Sequence, residues 1–338
     1  MENLYSIEQV KDLIMRKFEK VDVPVDQASI VADHLIYADM RGVHSHGMIR
    51  VKAYVKRILE GGINLNPNIK VEQNAPTMAL IDGDNGLGMP VTKLGVEKAI
   101  EIAKKYGMAS VGVKNINHSG TMSYYLEEVA KANLVGITMA TAEPIIAPYG
   151  ATQSYFGTNP LAFVAPVKDN YPIMLDMATS QKAFGYVMNA KNKGEEIPLE
   201  WGAVDKNGEP TTNPNEAVRM LPIAQAKGYG IMMMINILSG IMLNELSGDK
   251  IPSYTEKKRQ GLAQFFIVID PANFMPLDDF LEDMKTMYDE ITNMLPAKDF
   301  DRVRVPGQRG YELFEKNLEN GLELNEKVRE YLEDDGKL

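Results

Sequence analysis

The sequence contains no cysteine, which removes disulfides, thiolate nucleophiles, iron–sulfur clusters and Cys-ligated zinc together. Histidine is nearly as scarce: His34, His44, His46 and His118 are the whole supply, so any imidazole chemistry is confined to the first part of the chain. Positive charge is also short, with 36 Lys+Arg against 46 Asp+Glu and a net charge of −10. A general attraction to nucleic acid or to anionic lipid is therefore not expected, and an anionic ligand must be held by local groups. The longest apolar run falls short of the roughly 18 residues that cross a bilayer. The most apolar stretch, 228–243 (GYGIMMMINILSGIML), is interrupted by Asn236 and Ser239 and reads as a buried helix. The opening stretch mixes charged with apolar residues and has no continuous h-region, so a cytoplasmic location is the expectation.

What is present is the composition of a globular protein, 45% hydrophobic and 24% charged over 338 residues, a length that suggests two domains. Ser6 and Gln9 form a capping box ahead of a helical pattern to about Lys20, and Asp26 reads as the cap of a second helix ending near Met40. That second helix carries Val31, Leu35 and Ala38 on one stripe and runs into a loop, Arg41-Gly42-Val43-His44-Ser45-His46-Gly47, before an amphipathic run over 49–59. Gly61, Gly62, Pro67 and the polar residues up to Pro76 read as a boundary. Beyond it, strand patterns at 77–81, 109–113 and 135–140 alternate with helical patterns at 91–106 and 123–132, which points to an α/β or α+β middle. The polar stretch 189–222 is too long for a simple connection. A strong strand (264–270) and helices (278–295 and 325–333) complete the reading.

The glycine turn Gly83-Asp84-Asn85-Gly86-Leu87-Gly88 lies between strand and helix, where a dinucleotide fingerprint would sit. Its spacing does not fit: starting at Gly86, the third glycine position is Val91, so a standard Rossmann site is not expected. His44 and His46 flank Ser45 in a glycine-bounded loop, and Arg50 supplies a planar donor fork suited to a carboxylate. His118, in Asn117-His118-Ser119-Gly120, follows a strand and could take a hydroxyl proton near neutral pH. A metal site built from His44, His46 and His118 remains an alternative, although no carboxylate stands at a ligand spacing and no metal is expected. A hydrolase or lyase on that site, or a cofactor-binding protein without turnover, are the competing functions. Asp176-Met177-Ala178-Thr179-Ser180 and Lys227-Gly228-Tyr229-Gly230 each place backbone amides where a ligand could meet them.

Taken with Gly157-Thr158-Asn159-Pro160, Pro210-Thr211-Thr212 and Val305-Pro306-Gly307, these motifs resemble the malate/L-lactate dehydrogenase family, which lacks a Rossmann fold. The resemblance covers nearly the whole chain. It implies a non-Rossmann NAD(P)-binding domain with a mixed sheet (75–274) packed on a mostly helical domain made from both chain ends (1–74 with 275–338). It also implies a homodimer or higher homo-oligomer and a small 2-hydroxy acid substrate, with no nucleic acid or membrane partner. By the same resemblance His118 is the acid/base. Ser45, His46, Arg50, Tyr54 and Arg259 contact the substrate. The cofactor contacts are His46, Ala142, Glu143, Asp176, Met177, Ala178, Lys227, Pro306, Gly307 and Gln308. Glu143, if beside the adenosine ribose, would repel a 2′-phosphate and favour NAD over NADP. His44-Ser45-His46-Gly47, Ser123-Tyr124, Met232-Met233-Met234 and Pro306-Gly307-Gln308 are most similar to the branch of the family that oxidises ureidoglycolate in allantoin breakdown.

Overall fold

The computed structural model describes residues 4–336, so the outermost residues of the expected helical domain, 1–3 and 337–338, lie outside the described residues. A two-residue strand β1 (Leu4–Tyr5) leads into α1 (Ile7–Glu19), whose N-terminus carries the expected reciprocal capping box between Ser6 and Gln9. Helix α2 (Val25–Met40) is capped at Pro24 with no side-chain hydrogen bond, so Asp26 is not its cap. It lies instead in the first turn, where its charge favours the helix dipole. Val31, Leu35 and Ala38 are buried as their spacing requires. The loop 41–47 holds a single 3-10 turn, His44–His46, and the run expected as one helix over 49–59 opens as another, Met48–Arg50, before α3 (Val51–Leu59).

The polar boundary holds a strand that its sequence conceals, β2 (Lys70–Ala75), which lies at the sheet edge with its residues mostly exposed and so lacks apolar alternation. There follow β3 (Met78–Gly86), α4 (Gly88–Tyr106), β4 (Met108–Ile116), α5 (Ser123–Lys131), β5 (Val135–Ala140), β6 (Leu161–Ala165), β7 (Ile173–Met177) and α6 (Phe184–Lys193). The short pair β8 (Ala203–Val204) and β9 (Arg219–Met220) precedes α7 (Ala226–Ser239) and β10 (Leu262–Ile269). The chain ends with α8 (Leu277–Thr292), α9 (Gln308–Asn320), β11 (Leu322–Glu323) and α10 (Glu326–Glu333).

Seven strands form one sheet in the order β2-β3-β4-β10-β5-β6-β7, in which only β3 and β4 run parallel. This is the mixed, non-Rossmann α/β sheet expected. Helices α4 and α5 cover one face and build the largest core with Val111, Val113, Leu126, Val164 and Phe266. Helix α7 packs on the other face through Ile235, and its Ser239 hydroxyl donates to Met139 O at 3.0 Å. A second core joins α1, α2 and α3 to Leu322, Leu324, Tyr331 and Leu332 from the end of the chain. The polar 189–222 stretch is not a bare loop: Ile197, Ala203, Ala217 and Met220 pack with Ile146, Phe156 and Met232 into a small core of their own.

The apolar 228–243 stretch departs from its reading as a buried helix. Gly228, Met232, Ile235, Asn236 and Ser239 are buried, whereas Ile231, Met234, Ile237, Ile241 and Met242 are exposed. Ala226–Leu243 passes the length and hydropathy test for a membrane span (mean hydropathy 1.4), with 39% of it buried. Its inner face is committed to the sheet.

Candidate active site

The histidine loop is anchored from α2. Asp39 is buried; one carboxylate oxygen accepts the Met48 N–H at 2.6 Å and the other meets His44 Nδ1 at 2.7 Å. Asp39 raises the pKa of the otherwise exposed His44, which serves as a strut for the loop. On that loop Ser45 Oγ lies 2.9 Å from His46 Nδ1, and Arg50 Nε donates to Ser45 O at 2.7 Å. No hydrogen bond from the Arg50 Nη groups occurs among the described residues, and its charge depresses His46, whose burial and Arg50 together bring it down to about 4.

His118 enters from the turn after β4. Its ring stacks on His46 with centroids 5.6 Å apart, and its Nδ1 lies 2.7 Å from the Tyr54 hydroxyl. Nδ1 is thereby occupied, and Nε2 is the nitrogen left to exchange a proton. Burial, then Arg50, His46 and His34, hold His118 well below the usual histidine range, so it is neutral at pH 7. The backbone around it is tightly held. Asn117 donates to Asn85 O (2.9 Å) and Gly86 O (3.0 Å), Gln260 Oε1 accepts the His118 N–H (3.2 Å), and fully buried His34 accepts the Thr121 N–H through Nε2 (2.8 Å). Gly88 explains the glycine turn that fails as a fingerprint: a Cβ there would stand 2.2 Å from Asn117 O and 2.3 Å from His118 O. The glycine lets the His118 turn press on the start of α4.

A strap, 251–260, closes this site. Buried Arg57 donates through Nη1 to Tyr254 O (3.0 Å) and Glu256 O (2.9 Å), through Nη2 to Lys258 O (2.7 Å), and through Nε to Asn117 Oδ1 (2.9 Å). Glu143 accepts the Tyr254 N–H at 3.0 Å. The Tyr254 ring consequently stands edge-on to His118 and Tyr54, at centroid distances of 6.4 and 6.3 Å. A narrow crevice runs between Tyr254, His118, Tyr54, Asn117 and the apolar side chains Ile63, Leu87 and Met89.

The structure therefore brings Ser45, His46, Arg50, Tyr54 and His118 together. Arg259 is placed differently: its guanidinium forms a two-pronged ion pair with buried Glu245 (2.7 and 2.9 Å) and also donates to Asn115 Oδ1. Glu143, which would favour NAD if it stood beside a ribose, has one carboxylate oxygen engaged on the strap. Arg57, Tyr254, Asn117, Gln260, His34 and Asp39 were not singled out by sequence. The only hint was position, since Asn117 and Gln260 adjoin residues already named, and Tyr254 sits in a charged run that reads as solvated surface.

A second cluster gathers at the end of β7. Asp176 Oδ2 accepts from Thr121 Oγ1 (2.7 Å) and the Ser123 N–H (2.8 Å), and its charge opposes the fall in the His46 pKa, which ties this cluster to the first. After Met177 and Ala178, Thr179 N–H donates to Thr158 O and Thr179 O accepts from Ile223 N–H, bringing in the start of α7. There Gly228 packs so closely that a Cβ would lie 1.8 Å from Ile223 O. The Pro306-Gly307-Gln308 turn joins from the chain end, Met174 N–H donating to Pro306 O at 3.0 Å, and Gln308 Oε1 accepts the Val305 N–H. Ala142 lies against Gly157 beside this region. Lys227 stands in the first turn of α7, exposed and with no partner among the described residues, and the Ser180 hydroxyl is buried without one. A free lysine ammonium at the start of a 14-residue helix, with the unpaired Ser180 hydroxyl in the same cluster, fits the phosphates of a dinucleotide.

The family model for malate/L-lactate dehydrogenase matches residues 5–333. The chain is 38% identical over 329 residues to a ureidoglycolate dehydrogenase (NAD(+)) of Escherichia coli, covering 97% of this chain and 94% of that one. It is 39% identical over 337 residues to a malate dehydrogenase of Pyrococcus horikoshii, covering 96% and 92%. Among solved structures, a sulfolactate dehydrogenase from Methanocaldococcus jannaschii superposes with a TM-score of 0.91 at 35% identity, covering 98% and 96%.

Proposed function

Because the chain belongs to the malate/L-lactate dehydrogenase family, we propose that it oxidises ureidoglycolate to oxalurate with NAD as hydride acceptor. Membership makes it a nicotinamide-dependent dehydrogenase of 2-hydroxy acids; the ureido substrate and NAD in place of NADP are our reading. The observation that carries the chemistry is His118, neutral, oriented through Nδ1 by Tyr54 and close to Arg50. His118 Nε2 takes the proton of the substrate hydroxyl while Arg50 Nη groups bind the carboxylate, with Ser45 and His46 beside it. Lys227, Asp176, Met177, Ala178 and the turn 306–308 would hold the dinucleotide. When bound, the nicotinamide supplies the acceptor for the carbon-bound hydrogen, which leaves with its electron pair. The site's own work is positioning and proton transfer.

One Glu143 oxygen is engaged on the strap, and support for NAD is drawn from the NAD(+) in the name of the E. coli relative. Assembly into a homodimer belongs to the same reading and draws on the exposed apolar row Ile231, Met234, Ile237 and Ile241. Oxidation of malate or another 2-hydroxy acid is a second reading, favoured by the similarity to malate dehydrogenase.

Absorbance at the NADH band, followed while ureidoglycolate, malate and lactate are offered with NAD and with NADP, tests the substrate and cofactor. Ureidoglycolate with NAD is expected to be fastest, and malate fastest would shift the protein to the second reading. His118→Ala is expected to cut turnover by about 10² to 10⁴ with NADH binding kept.

A further inference from the structure

Six buried side-chain polar atoms have no hydrogen-bond partner among the described residues: His34 Nδ1, Arg41 Nη1, Thr92 Oγ1, Ser180 Oγ, Tyr254 Oη and Tyr331 Oη. Only Tyr254 among them lines the crevice that holds His118. A buried hydroxyl left unpaired bears its desolvation cost uncompensated, a penalty that phenylalanine would avoid at the same position. The main chain of Tyr254 shows no such neglect. Its N–H is taken by Glu143 and its C=O by Arg57, and Arg57 anchors two further carbonyls of the strap and Asn117 beside His118. The Tyr254 ring is thus held edge-on to His118, at 6.4 Å between centroids, by a network that engages its main chain and leaves its hydroxyl unpaired.

The other polar groups of the site are already assigned. Tyr54 uses its hydroxyl on His118 Nδ1, Arg50 is the cation available to a carboxylate, and Arg259 is occupied by Glu245 and Asn115. Carboxylate and hydroxyl are common to every 2-hydroxy acid, so these groups cannot tell one such acid from another. Burial keeps the Tyr254 phenol protonated, hence a donor as well as an acceptor.

We propose that Tyr254 is the specificity-determining residue of this site, its buried hydroxyl hydrogen-bonding a polar group at the end of the substrate remote from the carboxylate. The inference rests on the dehydrogenase reading and deepens it. A tail with a carbonyl, amide or carboxylate satisfies the hydroxyl, whereas an alkyl tail leaves it unpaired, and a site built to bond a polar group rejects analogues that lack it.

The test is Tyr254→Phe, which keeps the ring and its packing and removes only the hydroxyl. The ratio of kcat/KM for a polar-tailed acid (ureidoglycolate, or malate) to that for an alkyl-tailed one (lactate) is measured in both proteins. In parallel, the Kd values of malate and lactate for the enzyme–NADH complex are read from NADH fluorescence, without turnover. The ratio is expected to fall by about 10- to 100-fold in the variant, through the polar-tailed acid, with the Kd ratio following it. A ratio unchanged within twofold overturns the role of Tyr254, even if both rates fall, because it would then serve only the groups all substrates share. A wild-type enzyme inactive on every 2-hydroxy acid overturns the functional reading and this inference together, so the two failures are distinguishable.

Discussion

In the proposed reaction, Tyr54 decides which nitrogen of His118 takes the proton. With Nδ1 facing the phenol oxygen at 2.7 Å, a neutral His118 that carries its proton on Nδ1 presents a bare Nε2, and the Tyr54 oxygen remains as acceptor once the ring is charged. Tyr54→Phe removes that acceptor. Turnover is expected to fall about tenfold, and the acid limb of the kcat/KM profile to move to lower pH, because the imidazolium loses a stabilising bond. A limb that stays in place would show Tyr54 to be packing only. In the wild type that limb is expected below pH 6.5, since burial and Arg50 already disfavour the charged ring. His34 carries the other argument at this scale. Its sequence position gives it no function, yet it accepts the Thr121 N–H and holds the turn that carries His118 from behind. Burial brings its pKa from 6.5 to about 3. The folded value lies below the unfolded one, so the stability it gives is complete above pH 6.5 and lost as pH falls toward 3, roughly 2 kcal/mol by pH 5. His34→Gln can still accept from Thr121 but does not titrate, and its urea midpoint is expected to change less between pH 7 and pH 5 than the wild type's. Equal slopes would remove His34 from the acid response; His46, down to about 4, contributes with the same sign.

The strap and α7 show how far local pattern reaches. The strap's sequence, SYTEKKRQ, has no apolar period, and its place over His118 is fixed by Arg57, a residue about two hundred positions earlier. Such long-range side-chain to main-chain bonds leave no periodic trace in sequence, which is why Arg57 and Tyr254 were not legible while His118, Arg50 and Tyr54 were, through a recognisable set of motifs. Edge strand β2 was lost for a related reason: one covered face gives strong alternation, an exposed edge gives none. Helix α7 erred the other way, since an apolar composition says that a face is covered but not by what. Arg57→Lys keeps the charge and loses the fork that spans Tyr254, Glu256 and Lys258. The strap is expected to loosen, raising KM for the hydroxy acid about tenfold while NADH affinity holds, and protease cutting within 252–260 should appear. An unchanged KM would mean that the strap is held by its other anchors, Glu143, Glu245 and the His118 N–H.

At the scale of the whole molecule, the two chain ends close on one another. Strand β1 pairs with β11 (Tyr5↔Leu322), Lys17 donates to Asp334 O at 2.7 Å, and Asn317 donates to Met40 O at 2.9 Å. Arg41, between the rings of Tyr37 and Tyr311, meets Glu127 of α5, which also accepts from Tyr311 OH at 2.6 Å, so α2, α5 and α9 share one buried junction. The core that supports Tyr54 and the Asp39 anchor thus depends on residues more than two hundred and fifty positions later. Leu322, Leu324, Tyr331 and Leu332 each contribute about 1.5–3 kcal/mol by burial, and together they rival the 5–15 kcal/mol of a typical domain. Removing 321–336 is therefore expected to abolish cooperative unfolding, and buried Lys17 would lose the Asp334 carbonyl as well. Leu332→Ala asks the same question of a protein that still folds: a loss of about 2–5 kcal/mol in urea unfolding, with the kcat/KM ratio between substrates unmoved. A normal midpoint in that variant would show that the terminal helix only lies against the core and does not complete it.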